Sequence, residues 1–329
     1  GRIDALVDPK TGLAARGARS PEWGWSIPDR LAFADRLQAG FEKGGEFDRR
    51  WQHAMQSIRA TYPFLELPVQ VGLVPLQKNG KSGYWEFWHV QSGDEPLRDE
   101  AGQLELDGGS GLVFVLLPGG TFWMGTQGIK GQRNYSPAHQ PHESPVHQVQ
   151  LSAFFLSKYE MTQGQWMRLS GENPSRYNAQ DYPVPPTQFG QRVVPEFRLT
   201  NPVEELSWVD CARLIPQFGI QLPSEAQWEY GARGGSTTAW WTGDERNSLM
   251  LRRAANLADQ SAKAQGMTWD AIADWPEQDD GFPWHAYVDA FEPNDFGLYG
   301  VHGNVREWCA DVFALDYYER SPGKDPLNL

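Results

Sequence analysis

The chain has 329 residues, 40% hydrophobic and 22% charged, the make-up of a folded globular protein and not of a disordered tail. Its 34 glycines and 24 prolines are spread without a fixed period, which favours many turns and short elements over a helical bundle. A net charge of −13, from 29 basic against 42 acidic residues, opposes sequence-independent binding to phosphate backbones, so nucleic acid is not an expected partner.

No run approaches the roughly 18 apolar residues that span a bilayer, and the opening GRIDALVDPKTG lacks the basic-then-apolar pattern of a signal peptide. No membrane contact is expected of this chain, and its compartment stays unassigned. After the Trp-containing turn SPEWGWSIPDR, residues 30–59 carry apolar side chains at helical spacing. Leu31, Phe33, Ala34, Leu37 and Phe41 suit one face; Phe47, Trp51, Ala54, Met55 and Ile58 suit another; Gly44-Gly45 breaks the run into two helices.

From about Val69 the pattern changes to short strands, in VQVGLVPL, GYWEFWHVQ and GLVFVLLPGGTFWMG. Aromatic residues on both faces of YWEFWHV point to burial between layers. Three short helices are announced by their caps: Thr162 with Gln165, Ser207 with Asp210, and Ser224 with Gln227. Gly171 ends the first and Gly234-Gly235 the third. Both glutamines are long enough to reach back to the cap amide, whereas the shorter Asp210 is expected to act mainly on the helix dipole.

Long polar stretches, 173–201 and 256–294, separate these helices, and loops of that length usually need something besides a core to hold them. Residues 256–311 hold eleven acidic side chains against Lys263 and Arg306, with amide side chains and glycines interspersed. Hard cations such as Ca²⁺ take that oxygen-rich mixture, although a solvated acidic surface has the same composition and no EF-hand spacing is present. His139, His142, Glu143 and His147 are of metal-ligating type, but Pro141 and Pro145 break any helix that would align them, so loop and strand-end histidines are expected. Cys211 and Cys309 are too few for a disulfide framework or a four-Cys zinc site, and spacing leaves open a bridge or two buried thiols. Walker, G-x-S-x-G and H-E-x-x-H motifs do not occur.

The motifs LLPGGTFWMG, ESPVHQVQLSAFFLSKYEMTQGQW, NPVEELSWVDC, LPSEAQWEYGARGG, ANLAD, DGF and PNDFGLYGVHGNVREWC, in that order, resemble the formylglycine-generating-enzyme (sulfatase-modifying factor) family. The resemblance implies an α+β, C-type-lectin-like fold with short strands, few helices and long calcium-pinned loops over residues 111–329. A helical segment, 1–68, and a strand-rich connector, 69–110, would precede it, the latter resembling the region before this domain in bacterial serine/threonine-kinase-associated members. By the same resemblance Asn256, Leu257, Asp280 and Phe282 would ligate one structural Ca²⁺, through side chains at Asn256 and Asp280 and carbonyls at Leu257 and Phe282. Gly303, Val305 and Glu307 would serve a second, where Gly300 replaces the family's usual Asn. Those positions lie inside the acidic window that composition marks independently.

The family enzyme oxidises a substrate cysteine to formylglycine with O₂ and copper, using a cysteine pair beyond the GNVxEW motif. The sequence stops at KDPLNL ahead of that segment, and Cys211 and Cys309 map to neither member of the pair. Copper is therefore expected only if a continuation supplies the thiolates, and no catalytic residue is assigned. Arg306 stands where the family usually has Trp, beside Trp308 on the expected ligand surface, and the N-terminal iron motif of ergothioneine-pathway members is missing. The reading is a noncatalytic module that recognises a protein or small ligand through its C-terminal loops, as variable proteins diversified by retroelements do. A regulatory domain on a serine/threonine-kinase polypeptide and a copper oxidase with its catalytic segment elsewhere are the alternatives.

Overall fold

The computed structural model describes residues 2–180, 196–245, 247–267 and 278–329. The two predicted N-terminal helices are α2 (Ile27–Phe41) and α3 (Glu46–Thr61), after a short α1 (Arg2–Leu6) and a two-stranded ribbon, β1 (Arg19–Ser20) with β2 (Gly24–Trp25). In α3 the buried set is Phe47, Trp51, Ala54, Met55 and Ile58, the face its periodicity predicts. Helix α2 buries no residue fully, and Leu31, expected on its inner face, is 62% exposed. Phe33, Leu37 and Phe41 do lean on the core from its edge. The two helices approach closely at Gly40, where a Cβ would sit 2.2 Å from the Phe47 ring.

The main sheet is antiparallel with the order β10 (Phe154–Ser157), β7 (Val113–Leu117), β4 (Trp85–His89), β3 (Leu73–Lys78). All five residues of β4 are buried, so its aromatic run is packed from both sides and is no exposed platform. Trp51, Ala54, Met55 and Ile58 cover Trp85, Phe87 and Leu116 on one face. Each such fully buried large side chain contributes about 1.5–3 kcal/mol before entropy is counted.

Glu86 lies within this strand, and its carboxylate is held at Oε1 by Lys158 Nζ (2.8 Å) and Asn79 Nδ2 (2.9 Å), and at Oε2 by Arg98. Lys158 also donates to the Gly297 carbonyl at 3.0 Å. This buried polar knot joins the strands before residue 107 to the turns near residue 297. Two smaller ribbons, β5 (Leu97–Arg98) with β6 (Leu104–Glu105) and β8 (Gly120–Met124) with β9 (His147–Leu151), complete the strands.

The capped helices form as predicted: α4 (Gln163–Ser170), α5 (Trp208–Leu214) and α6 (Glu225–Arg233). All three carry reciprocal capping boxes, and the expectation for Asp210 is corrected. The Ser207 amide donates to Asp210 Oδ2 at 3.1 Å: from the same extended cap conformation as at Thr162 and Ser224, the aspartate carboxylate is long enough to reach the cap amide. Gly171 and Gly234 take the left-handed conformation that ends α4 and α6. Short helices α7 (Ser248–Leu251), α8 (Gln260–Ala264) and α9 (Tyr317–Arg320) sit among loops. No helix among the described residues is long and apolar enough to cross a membrane.

Candidate functional site

The loops after α6 are held mainly by side-chain-to-backbone hydrogen bonds. Asp280 accepts from the amides of Leu257 (Oδ2, 2.7 Å) and Phe282 (Oδ1, 2.8 Å), bringing three of the predicted calcium positions onto one carboxylate. Asn256 donates to the Trp284 carbonyl at 2.7 Å and to Asn304 Oδ1 at 3.0 Å, which leaves its own Oδ1 available as an acceptor. Asp259 accepts from Ser261 and Asp280 amides, and Ser261 Oγ donates to Asp279. Burial, and after it the charges of Asp259 and Asp279, push the Asp280 carboxyl up to about 7 against its two amide donors. Burial likewise raises Asp259. Among the described residues none of these three carboxylates has an ion-pair partner.

A divalent cation fits that donor set in a particular way. No three His, Cys, Asp or Glu side chains among the described residues form a metal-holding group, so the ion would rest on Asp280, the Asn256 amide oxygen and backbone carbonyls, the ligand types Ca²⁺ accepts. Three further acidic residues of the window, Asp270, Asp274 and Glu277, lie outside the described residues, as do 181–195 of the earlier loop.

At the second predicted position, Gly300 has φ +65° and a Cβ placed there would lie 2.7 Å from the Glu160 carboxyl carbon. Glu160 therefore occupies the space an Asn at 300 would need. Asn304 Nδ2 donates to both Glu160 oxygens at 3.1 Å while its Oδ1 receives the Ala286 amide at 2.8 Å, so this one residue ties the two loop regions together. Burial, with the neighbouring Glu307 charge added, holds the Glu160 carboxyl well above the usual carboxylate range. Glu307 accepts from Trp228 Nε1. Sequence reasoning did not single out Glu160; the signal was a lone carboxylate in KYEMT two residues ahead of a buried cap.

An aromatic surface adjoins this region. Trp308 is 51% and Trp208 38% exposed, and Arg306 is exposed between Val305 and Glu307. Their indole N–H groups face inward: Trp308 donates to the Leu206 carbonyl and Trp208 to that of Cys309, each at 2.9 Å. The rings are thereby locked with π surface outward, which favours stacking and apolar contact over hydrogen-bond donation. Beside Trp208 opens a cavity of about 250 Å³ walled by Ala212, Ile215, Leu222, Ala310 and Leu327. Trp208 was not among the predicted surface residues, although its place directly after a cap was visible.

Both cysteines are free. Burial pushes the Cys211 thiol up to about 11 and the Cys309 thiol up to about 12, so each is protonated near neutral pH. The histidine group does not assemble around a metal. His139 Nδ1 meets Thr126 Oγ1 at 3.1 Å, Glu143 accepts from the same hydroxyl at 2.6 Å, His147 Nδ1 meets the Pro145 carbonyl, and His142 packs on Phe313.

Residues 107–325 match the model of the sulfatase-modifying factor enzyme 1-like domain. The formylglycine-generating enzyme of Thermomonospora curvata is 30% identical over 242 residues, covering 62% of this chain and 73% of the relative. The serine/threonine-protein kinase pkn1 of Chlamydia pneumoniae is 29% identical over 216 residues, and the chain spans 63% of itself but only 29% of the kinase. The solved structure of PvdO from Pseudomonas aeruginosa shares 26% identity and a TM-score of 0.45, covering 66% of this chain and 77% of that one.

Proposed function

The chain belongs to the sulfatase-modifying factor enzyme 1-like domain family, and from that premise we propose that it is a noncatalytic recognition module whose ligand, a protein or small molecule, docks on the Trp208, Arg306 and Trp308 surface. The observation that carries this reading is the setting of the two indoles. Cys211 and Cys309 are buried and protonated and offer no thiolate of their own. The indoles, by contrast, are exposed and fixed by their inward N–H bonds, an arrangement suited to a binding surface. Calcium held by Asn256, Leu257, Asp280 and Phe282 would keep the loops behind that surface in place; the Asp280 carboxylate, buried and without an ion-pair partner among the described residues, supports it. Glu160 would join Gly303, Val305 and Glu307 at the second position.

Two measurements test this. Anaerobic Cu(I) titration against a competing chelator should show no tight site, and Cys309→Ser should change nothing; tight Cu(I) binding lost in that variant would sink the noncatalytic reading. Screening the full chain on peptide and glycan arrays should give binding that Trp308→Ala removes, whereas binding indifferent to both Trp308→Ala and Trp208→Ala would remove the surface from the proposal.

A second reading, a regulatory domain on a kinase polypeptide, is favoured by the relatives named as kinases in Chlamydia pneumoniae and Chlamydia caviae, in each of which the chain spans 29% of the length. Kinase motifs encoded in frame with this chain would support it, and their lack in the complete gene would end it.

A further inference from the structure

A cavity of about 520 Å³ opens between α2, α3 and the turn at Asp94 and Glu95. All of its lining residues precede residue 107, where the family match begins, so the family domain does not account for it. Its volume is that of small-molecule sites. The floor is Trp88 and Phe47, 3% and 4% exposed, carried on β4 and α3. Trp88 commits its indole N–H to the Gly93 carbonyl at 3.1 Å and so offers only ring surface.

The charges around this floor are of two kinds. Glu95 is neutralised by a two-pronged contact with Arg50 at 2.7 and 2.9 Å, and Glu46 lies 3.6 Å from the same guanidinium. Arg36 and Asp94 remain. The Arg36 guanidinium stands 5.9 Å from the centre of the Trp88 ring and, among the described residues, has no hydrogen-bond or ion-pair partner. Asp94 is pinned through its main chain, donating to Gly109 O and accepting from Gly111 N at 2.8 Å each, while its carboxylate accepts no hydrogen bond among the described residues. The Asp94 charge also acts on Arg168, with no hydrogen bond between them, so Arg36 and Asp94 line the cavity as exposed, opposite charges.

We propose that this cavity is a separate ligand site for a small zwitterion of the α-amino-acid type. Its carboxylate is held by the forked guanidinium of Arg36 and its ammonium by Asp94, and its side chain fills the cavity over the narrow edge of Trp88 and Phe47 left uncovered. The site stands apart from the Trp208 and Trp308 surface and does not rest on the recognition reading.

The test uses the full chain. The standard amino acids are screened at millimolar concentration by thermal shift, and hits are measured by calorimetry beside their singly charged analogues, such as 3-phenylpropionate and phenethylamine for phenylalanine. At least one amino acid should bind, about tenfold or more tighter than either analogue, and Arg36→Met and Asp94→Asn should each weaken it about tenfold or more. Trp308→Ala should leave this binding intact. The proposal is overturned if no amino acid binds, if one charge suffices for full affinity, or if Arg36→Met is silent. Arg36 is exposed on α2, so that variant decides the matter even if Asp94→Asn fails to fold.

Discussion

Replacing Lys158 with methionine should destabilise the protein by about 3 kcal/mol near neutral pH. The ammonium sits 2.8 Å from Glu86 Oε1 with the two side chains 2% and 1% exposed, so neither is screened by water. Removing one member of a buried pair costs roughly 3–5 kcal/mol, because the other charge is left desolvated. The lower end applies since Arg98 and Asn79 still hold Glu86. In the native protein burial raises the Glu86 carboxyl, but Lys158 and Arg98 outweigh it and the net position is below the ordinary value. A carboxylate with a depressed native pKa contributes stability above its unfolded pKa and loses it as pH falls through the native one. In Lys158→Met the desolvation dominates, the native pKa rises, and the deficit should shrink as acid protonates Glu86. Urea unfolding of both proteins at neutral and mildly acidic pH measures this. A loss under about 1 kcal/mol, or one that does not change with pH, would refute the assignment of Glu86 as a charge dependent on Lys158.

Chelation with EDTA should lower the melting temperature and added Ca²⁺ should restore it, since a ligand bound only by the native state stabilises that state. Asp280→Ala should abolish the calcium response, and a response unchanged in that variant would move the ion elsewhere. Gly300→Asn, which reinstates the family's residue, should cost about 1–3 kcal/mol in denaturant unfolding, as the new side chain meets Glu160 at 2.7 Å; an unaffected midpoint would show that Glu160 moves freely. Ser207→Ala should cost about 0.5–2 kcal/mol through loss of the α5 cap, and a change within error would show the box to be redundant there.

What was legible in the sequence was local. The α3 face and the caps at Thr162, Ser207 and Ser224 follow from spacings of three and four residues, which a helix turns into contacts wherever it lies. Leu31 could not be placed the same way: both N-terminal helices have an apolar stripe, and the sheet takes that of α3, leaving α2 outside. Glu86 carried no local signal, because its partner Lys158 is 72 residues away. Reach explains Asp210, whose shortness seemed to exclude a bond that the ordinary extended cap conformation at Ser207 already permits.

The candidate site divides along the same line. Asn256 and Asp280 could be marked from acidic composition together with motif resemblance, because a loop without a regular ladder must satisfy its amides with side-chain oxygens and so accumulates Asp and Asn. Glu160 and Asn304 could not, since their meaning lies in a contact between a strand exit and a turn far along the chain. The same holds for Trp208, though not for Trp308, which the motif marked; each indole is anchored on a carbonyl beside the other's segment, at Cys309 and Leu206. That reciprocal anchoring makes the two indoles one unit: Trp208→Ala frees the backbone under Trp308, so both alanine variants should weaken the same ligand, with less than additive losses when combined. Additive losses in the double variant would mean that two independent patches, and not one surface, receive the ligand.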